Sequence, residues 1–240
     1  MYYLRSPIIW LVLAMSAFVS AWTFLLLIDL FTAMQVKFNG MTDAPTTVQG
    51  IIYPVISAQA KLLILVVSII AGLSFSRLHN NNGWTLVNSY AGSDLNFVLQ
   101  KYMAGLLVSL VFVLPALLSI IALSFMTSMS VLPIVYAILG LLLLLMWMMA
   151  LGMFISSLVN NSGFAILLCM VVLLILWVIS YSSLDMTWGK NWIQVFSPQY
   201  HFQQFLTPYL SISTLFYFIA DILILIMAIN FRIKHRRYRL

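Results

Sequence analysis

Glutamate is absent from this chain, and five Asp carry all of its acidic charge. Cysteine is reduced to Cys169, and the three His stand apart at His79, His201 and His235. No zinc or iron–sulfur ligand set has that spacing. Charged residues of both signs make up 7% of 240 positions, against about 25% in an ordinary soluble domain. Sixteen charges, eleven basic and five acidic, cannot solvate a 27.2 kDa globule. A soluble enzyme, a disordered chain and a disulfide scaffold are thereby excluded. The phosphate-binding Gly-x-x-x-x-Gly-Lys-Ser/Thr is also missing, because the one Gly-Lys pair, Gly189–Lys190, lacks the preceding glycine. ATP hydrolysis by a P-loop is not expected of this chain, and no cofactor is expected in it. Ser197 and His201 are four residues apart, but an aromatic setting favours a packed histidine over a nucleophile–base pair.

What the chain has in abundance is apolar residues, 64% of the total. A helix crossing about 30 Å of hydrocarbon needs roughly 20 of them in a row. The expected fold is therefore all-α: a polytopic integral membrane protein of six transmembrane helices in one domain. The spans are read at about 8–30, 62–76, 103–126, 131–157, 163–181 and 214–231. Ile51–Ser76 exceeds one crossing and contains Lys61. A lysine at mid-bilayer costs about 2.5–3.5 kcal/mol on insertion scales. The membrane part is accordingly placed at 62–76, with Lys61 snorkelling to the outer interface. Residues 42–60 are then an outer loop or a short surface helix. The first apolar run is too long for a signal peptide and is expected to stay attached.

Orientation follows from the basic residues. Arg5, Arg77, Lys101, Arg232, Lys234, Arg236, Arg237 and Arg239 fall on one side, and Lys37 and Lys190 on the other. The richer side is read as cytoplasmic, which puts both termini inside. The basic tail suits anionic lipid headgroups better than nucleic acid. Residues 182–213 carry Trp188, Trp192, Phe196, Tyr200, Phe202, Phe205 and Tyr209, which suits one or two short helices on the outer leaflet. Pro115 should bend the third span, and the freed carbonyl needs a local partner. Ser16, Ser20 and Thr23, and the pair Gly105 and Ser109, offer small faces for close helix approach. Asp221 lies near the middle of the last span. There a carboxylate either fixes a helix contact or serves a transport path.

Three stretches then carry a likeness. They are Ser6-Pro7-Ile8-Ile9-Trp10-Leu11-Val12-Leu13-Ala14, Gly152-Met153-Phe154-Ile155-Ser156-Ser157-Leu158 with Asn160, and Phe196-Ser197-Pro198 with His201-Phe202 and Phe205 leading to Leu215-Phe216-Tyr217-Phe218. In this order on six spans, the chain resembles the type-2 ABC exporter permeases, closest to their gliding-motility-like branch. The resemblance implies a permease of the bacterial inner membrane. It also implies a second permease copy or a related one, and a dimer of cytoplasmic ABC ATPase subunits holding the ATP and Mg. In that family a coupling helix between spans two and three seats in the ATPase. The matching stretch lies in the cytoplasmic loop 77–102, with His79, Asn80, Asn81, Asn82, Gly83, Trp84, Thr85 and Leu86 as the coupling residues. The departures are Asn80–Asn82 where the family has acidic residues, seven residues before Ile8 where it has a basic amphipathic helix, and Pro208 where it commonly has glycine.

Export driven by a separate ATPase is thus the leading expectation, with no readable substrate. The alternative is a membrane scaffold or mechanotransmitter that passes ATPase-driven motion to an outer accessory protein. Cysteine substitution provides the topology test. A thiol at position 190 should react with an impermeant reagent from outside, and one at position 236 only from inside. The opposite pattern inverts the orientation.

Overall fold

The computed structural model describes residues 7–38, 45–80, 93–126, 130–182, 196–207 and 212–237. Among them every regular element is helical. The helices are α1 (Pro7–Phe38), α2 (Tyr53–Asn80, continuing a π turn Val48–Ile52), α3 (Asp94–Val111), α4 (Leu114–Met126), α5 (Val131–Leu158), α6 (Ser162–Ser182), α7 (Pro198–Phe205) and α8 (Ile212–Arg237). Five of these, α1, α2, α5, α6 and α8, are long and apolar enough to cross a membrane among the described residues. The pair α3 and α4 makes a sixth if its two halves are one span, bent by 47°.

Lipid tails are as apolar as Leu, so close packing, not water exclusion, decides which helices lie at the centre. Buried residues make up 67% of the apolar stretch of α2 and 56% of that of α5, but only 11% in α1 and 17% in α6. The helices α2 and α5 form the axis of the bundle, and their mutual contact is the most extensive in the structure. Around them stand α6, α8 and α3, while α1 leans on α2 and α4. The apolar outer faces of α1 and α6, including Leu11, Met15, Phe18, Leu167 and Val178, suit hydrocarbon.

The second span departs from expectation. Residues 48–60 are neither a loop nor a surface helix; they are the first three turns of a helix that continues to Asn80. Val48, Ile51, Ile52, Val55, Ile56, Gln59 and Ala60 recur at helical spacing and are buried. Lys61 falls on the opposite, exposed side of the same helix. The expected loop 77–102 is shorter than read. Of residues 77–102, Arg77–Asn80 end α2 and Asp94–Tyr102 begin α3, whose first turn is capped by the Ser93 hydroxyl accepting from the Asn96 N–H. Asp29 lies inside the long α1 on its exposed side.

Pro115 does break its span. The turn at Phe112–Val113 is closed by the N–H of Phe112 donating to Ser109 and that of Val113 to Leu110. Between α5 and α6 the link is only three residues, and Asn161 Oδ1 accepts from the Gly163 N–H at 2.9 Å, capping α6. The short α7 is present within the aromatic segment 182–213, and it is seated in the bundle. Phe202 and Phe205 are 1% exposed and seat against α5, α6 and α8. A Cβ at Gly140 would come within 2.5 Å of Phe205, so the absence of a side chain there makes the seat. Trp188, Trp192 and Tyr209 lie outside the described residues.

The tightest backbone approach is at Gly72, where a Cβ would stand 2.9 Å from the Cα of Ile166 on α6. Backbone cannot step aside as a side chain can. Gly72→Ala should therefore destabilise by about 1–3 kcal/mol, read as a lowered midpoint in thermal unfolding of the detergent-purified protein. Gly163→Ala, whose Cβ would meet only Asn161 Oδ1 at 3.5 Å, should leave the midpoint unchanged.

Candidate functional site

Polar groups inside an apolar bundle mark where helices are held in register, and they gather here at three levels. At the first, α2 is gripped over residues 72–76. The Ser156 hydroxyl of α5 donates to the Gly72 carbonyl at 2.7 Å and accepts from the N–H groups of Phe75 and Ser76, each at 3.1 Å. One proton and two lone pairs are all used. From α3, Lys101 Nζ donates to the Ser74 carbonyl at 2.5 Å. Its ammonium stands 5.1 Å from the ring of Phe75 and 5.4 Å from that of Phe97, within cation–π range of both. The next residue, Tyr102, donates its hydroxyl proton to the Met146 carbonyl of α5 at 2.9 Å. With α6 pressed on Gly72, three neighbouring helices hold one turn of α2.

Lys101 was expected in a loop. It is instead in the third turn of α3, and its long stem lets a cation at a helix end reach a carbonyl of another helix. Arg232 of α8 does the same for α5, its Nε donating to the Ser157 carbonyl at 3.1 Å. These two contacts put both basic residues at one end of the bundle. The N-terminal end of α1 lies at that end too, because Ser20 meets Gln59 and Phe31 meets Gly50, an antiparallel pairing.

At the second level, Trp147 Nε1 of α5 donates to Asp221 Oδ2 of α8 at 2.5 Å. The helices run parallel here, since Ser157 and Arg232 meet ten and eleven residues further along. That offset is about 15 Å of helix, so Asp221 stands well inside the apolar stretch of α8, away from the end that Arg232 marks. The half-buried carboxylate thus sits at a helix contact with an indole donor as its partner.

At the third level, Gln59 of α2 is 2% exposed and bonds both ways. Its Nε2 donates to the Phe112 carbonyl at the α3–α4 break at 2.7 Å. Its Oε1 lies 2.7 Å from the Ser20 hydroxyl of α1, whose one proton can go to it or to the Ser16 carbonyl at 2.8 Å. The small stripe on α1 and the carbonyl freed near Pro115 therefore meet in one buried network.

No protein-family model matches the chain, and no curated protein matches it. The site rests on its own chemistry.

Of the coupling residues, His79 and Asn80 end α2, while Asn81, Asn82, Gly83, Trp84, Thr85 and Leu86 lie outside the described residues. Ser197 caps α7, its hydroxyl oxygen accepting from the Tyr200 N–H at 3.1 Å, with Pro198 in the first turn. The His201 ring stacks on Tyr217 at 4.0 Å. Capping and packing thus occupy the two residues whose spacing suggested a nucleophile and base. The Gly105 and Ser109 pair serves contact within the chain, with Met149 of α5 filling the space above Gly105. Sequence reasoning missed Gln59, Ser156 and Trp147. A signal for Gln59 existed, since it lies on the helical face made by Val55, Ile56 and Leu63.

The Trp147–Asp221 contact yields a clear expectation. Asp221→Asn keeps an acceptor for the indole and should unfold at the wild-type midpoint. Asp221→Leu orphans a buried donor and should cost about 1–3 kcal/mol, as should Trp147→Phe for the abandoned acceptor. The double variant should cost less than the sum, read by denaturant titration in detergent.

Proposed function

We propose that the chain is the permease subunit of an ABC exporter in a bacterial inner membrane, both termini cytoplasmic, driven by a separate ATPase that holds the ATP and Mg. The observation carrying this reading is the grip on residues 72–76. From there α2 leads straight to residues 81–92, and α3 returns from them carrying Lys101 and Tyr102. A force applied to that connection enters α2 and α3 together, and it passes to α5 through Ser156 and Tyr102. The shared end also holds Arg232 and the basic tail, which by charge belongs inside. The three stretches that resemble the type-2 permeases support the same assignment. The partners are an ATPase dimer and a second permease chain, identical or related.

Docking centres on residues 78–90, with Trp84 and Leu86 as its apolar anchors. Without acidic residues at Asn80–Asn82 the contact rests on packing and amide hydrogen bonds, so it should survive a rise in salt that strips exposed ion pairs. Affinity purification of the tagged chain from native membranes should bring down an ATPase subunit. Trp84→Ala should weaken that association by about 2 kcal/mol, roughly thirtyfold, while the bundle stays folded. An unaltered complex with full ATPase stimulation would refute the docking surface. ATPase stimulation by a solute supports export. A stable outer protein with no response to any solute supports the mechanotransmitter.

A further inference from the structure

The break between α3 and α4 lies where a proline removes a backbone donor and the chain bends by 47°. A break of this kind in hydrocarbon leaves carbonyls that must be satisfied from elsewhere. Here the Phe112 carbonyl takes its proton from Gln59 Nε2, a side chain of another helix, at 2.7 Å. The other end of the same amide is engaged by Ser20 of a third helix, at 2.7 Å. Phe112, Val113, Gln59 and Ser20 are each no more than 3% exposed, so water cannot substitute for either bond. On the two sides of the break the tethering differs. Below it, α3 is bound to α2 and α5 through Lys101 and Tyr102. Above it, α4 packs mainly on α1, the least buried of the spans, and only slightly on α2. Ser119 and Ser124 of α4 donate their hydroxyl protons to carbonyls of α4 itself, Pro115 and Ile121.

We propose that Phe112–Val113 is a hinge, and that Gln59 is the latch holding α4 in its bent position against α1. The amide suits this role because it is bifunctional. It accepts at α1 and donates at the break, so one side chain ties both. With the latch closed, α1, α4 and α2 move as one. With it open, α4 can swing while α3 stays fixed to the axis. The arm from Val113 to Phe125 is about 18 Å long at about 1.5 Å per residue, so its tip can travel on the order of 10 Å. The inference concerns the bundle alone and does not depend on an ATPase or on export.

The test is a distance across the arm. Spin labels are placed at Leu30 of α1 and Phe125 of α4, both exposed, in a Cys169→Ser background, and pulsed electron resonance is recorded in lipid nanodiscs. With Gln59 present a single narrow distribution is expected. Gln59→Leu should broaden it or lengthen it by on the order of 10 Å, while a control pair at Leu95 of α3 and Leu65 of α2 stays unchanged. Ser20→Ala removes only the α1 half of the latch and should give an intermediate broadening. It also serves as the deciding variant if Gln59→Leu fails to fold. A Leu30–Phe125 distribution unaltered in the folded variants overturns the proposal, as does broadening that appears equally in the control pair.

Discussion

Hydrocarbon supplies no hydrogen-bond partner, so every polar atom between the two ends of the bundle must be answered by another part of the chain. The bundle is organised by that requirement more than by apolar contact, which lipid provides equally well. Ser156 answers three backbone groups of α2 at once. Once it does, the azimuth of α5 about α2 and its height along it are set together. Gly72, Gly152 and Gly105 then let the backbones come near enough for such short side chains to reach, with Ala71 and Cys169 meeting over Gly152.

The same requirement divides the molecule mechanically. One set of contacts, through Ser156, Lys101 and Tyr102, joins α2, α3 and α5 near the basic end. A second set, through Gln59 and Ser20, joins α1 and the α3–α4 break about four turns away along α2. Between them Trp147 and Asp221 tie α8 to the axis at mid-depth. Each tie uses a donor and an acceptor from different helices. A shift of one helix by a single turn would therefore break it completely instead of weakening it gradually. Such a bundle favours discrete arrangements over continuous deformation.

How far the sequence announced this depends on the residue. Run length identified the spans that become α1, α5, α6 and α8, because each carries an apolar stretch that needs no tertiary context to read. Pro115 announced the bend for a local covalent reason. Asp221 stood out because a carboxylate is rare at that depth, yet Trp147 did not, since an indole reads as one more apolar residue until its N–H finds a partner. Ser156 was equally hidden, quoted as part of a motif but indistinguishable from Ser157 beside it. Lys61 misled on secondary structure alone, since a lone charge ends no helix and α2 runs on through it with this side chain on its exposed side. The full length of α2 was legible only from the face it buries, which runs through Gln59.

The seating of α7 has a consequence for the order in which the chain is made. The helix rests on Gly140 of α5, but its other side is completed by α8, where Thr214 donates to Gln204, Tyr217 lies over His201 and Phe218 meets Phe205. Those residues follow α7 in the chain and are made after it. Until then Gln204 and His201 stand at the rim of an unfinished bundle, while α2 and α5 are already able to join. The axis can thus assemble early in synthesis, but the seat of α7 closes only once α8 has been made. A nascent chain stopped before residue 212 would hold its central helices and still expose the polar side of α7, a ready mark by which quality control could tell an incomplete product from a finished one.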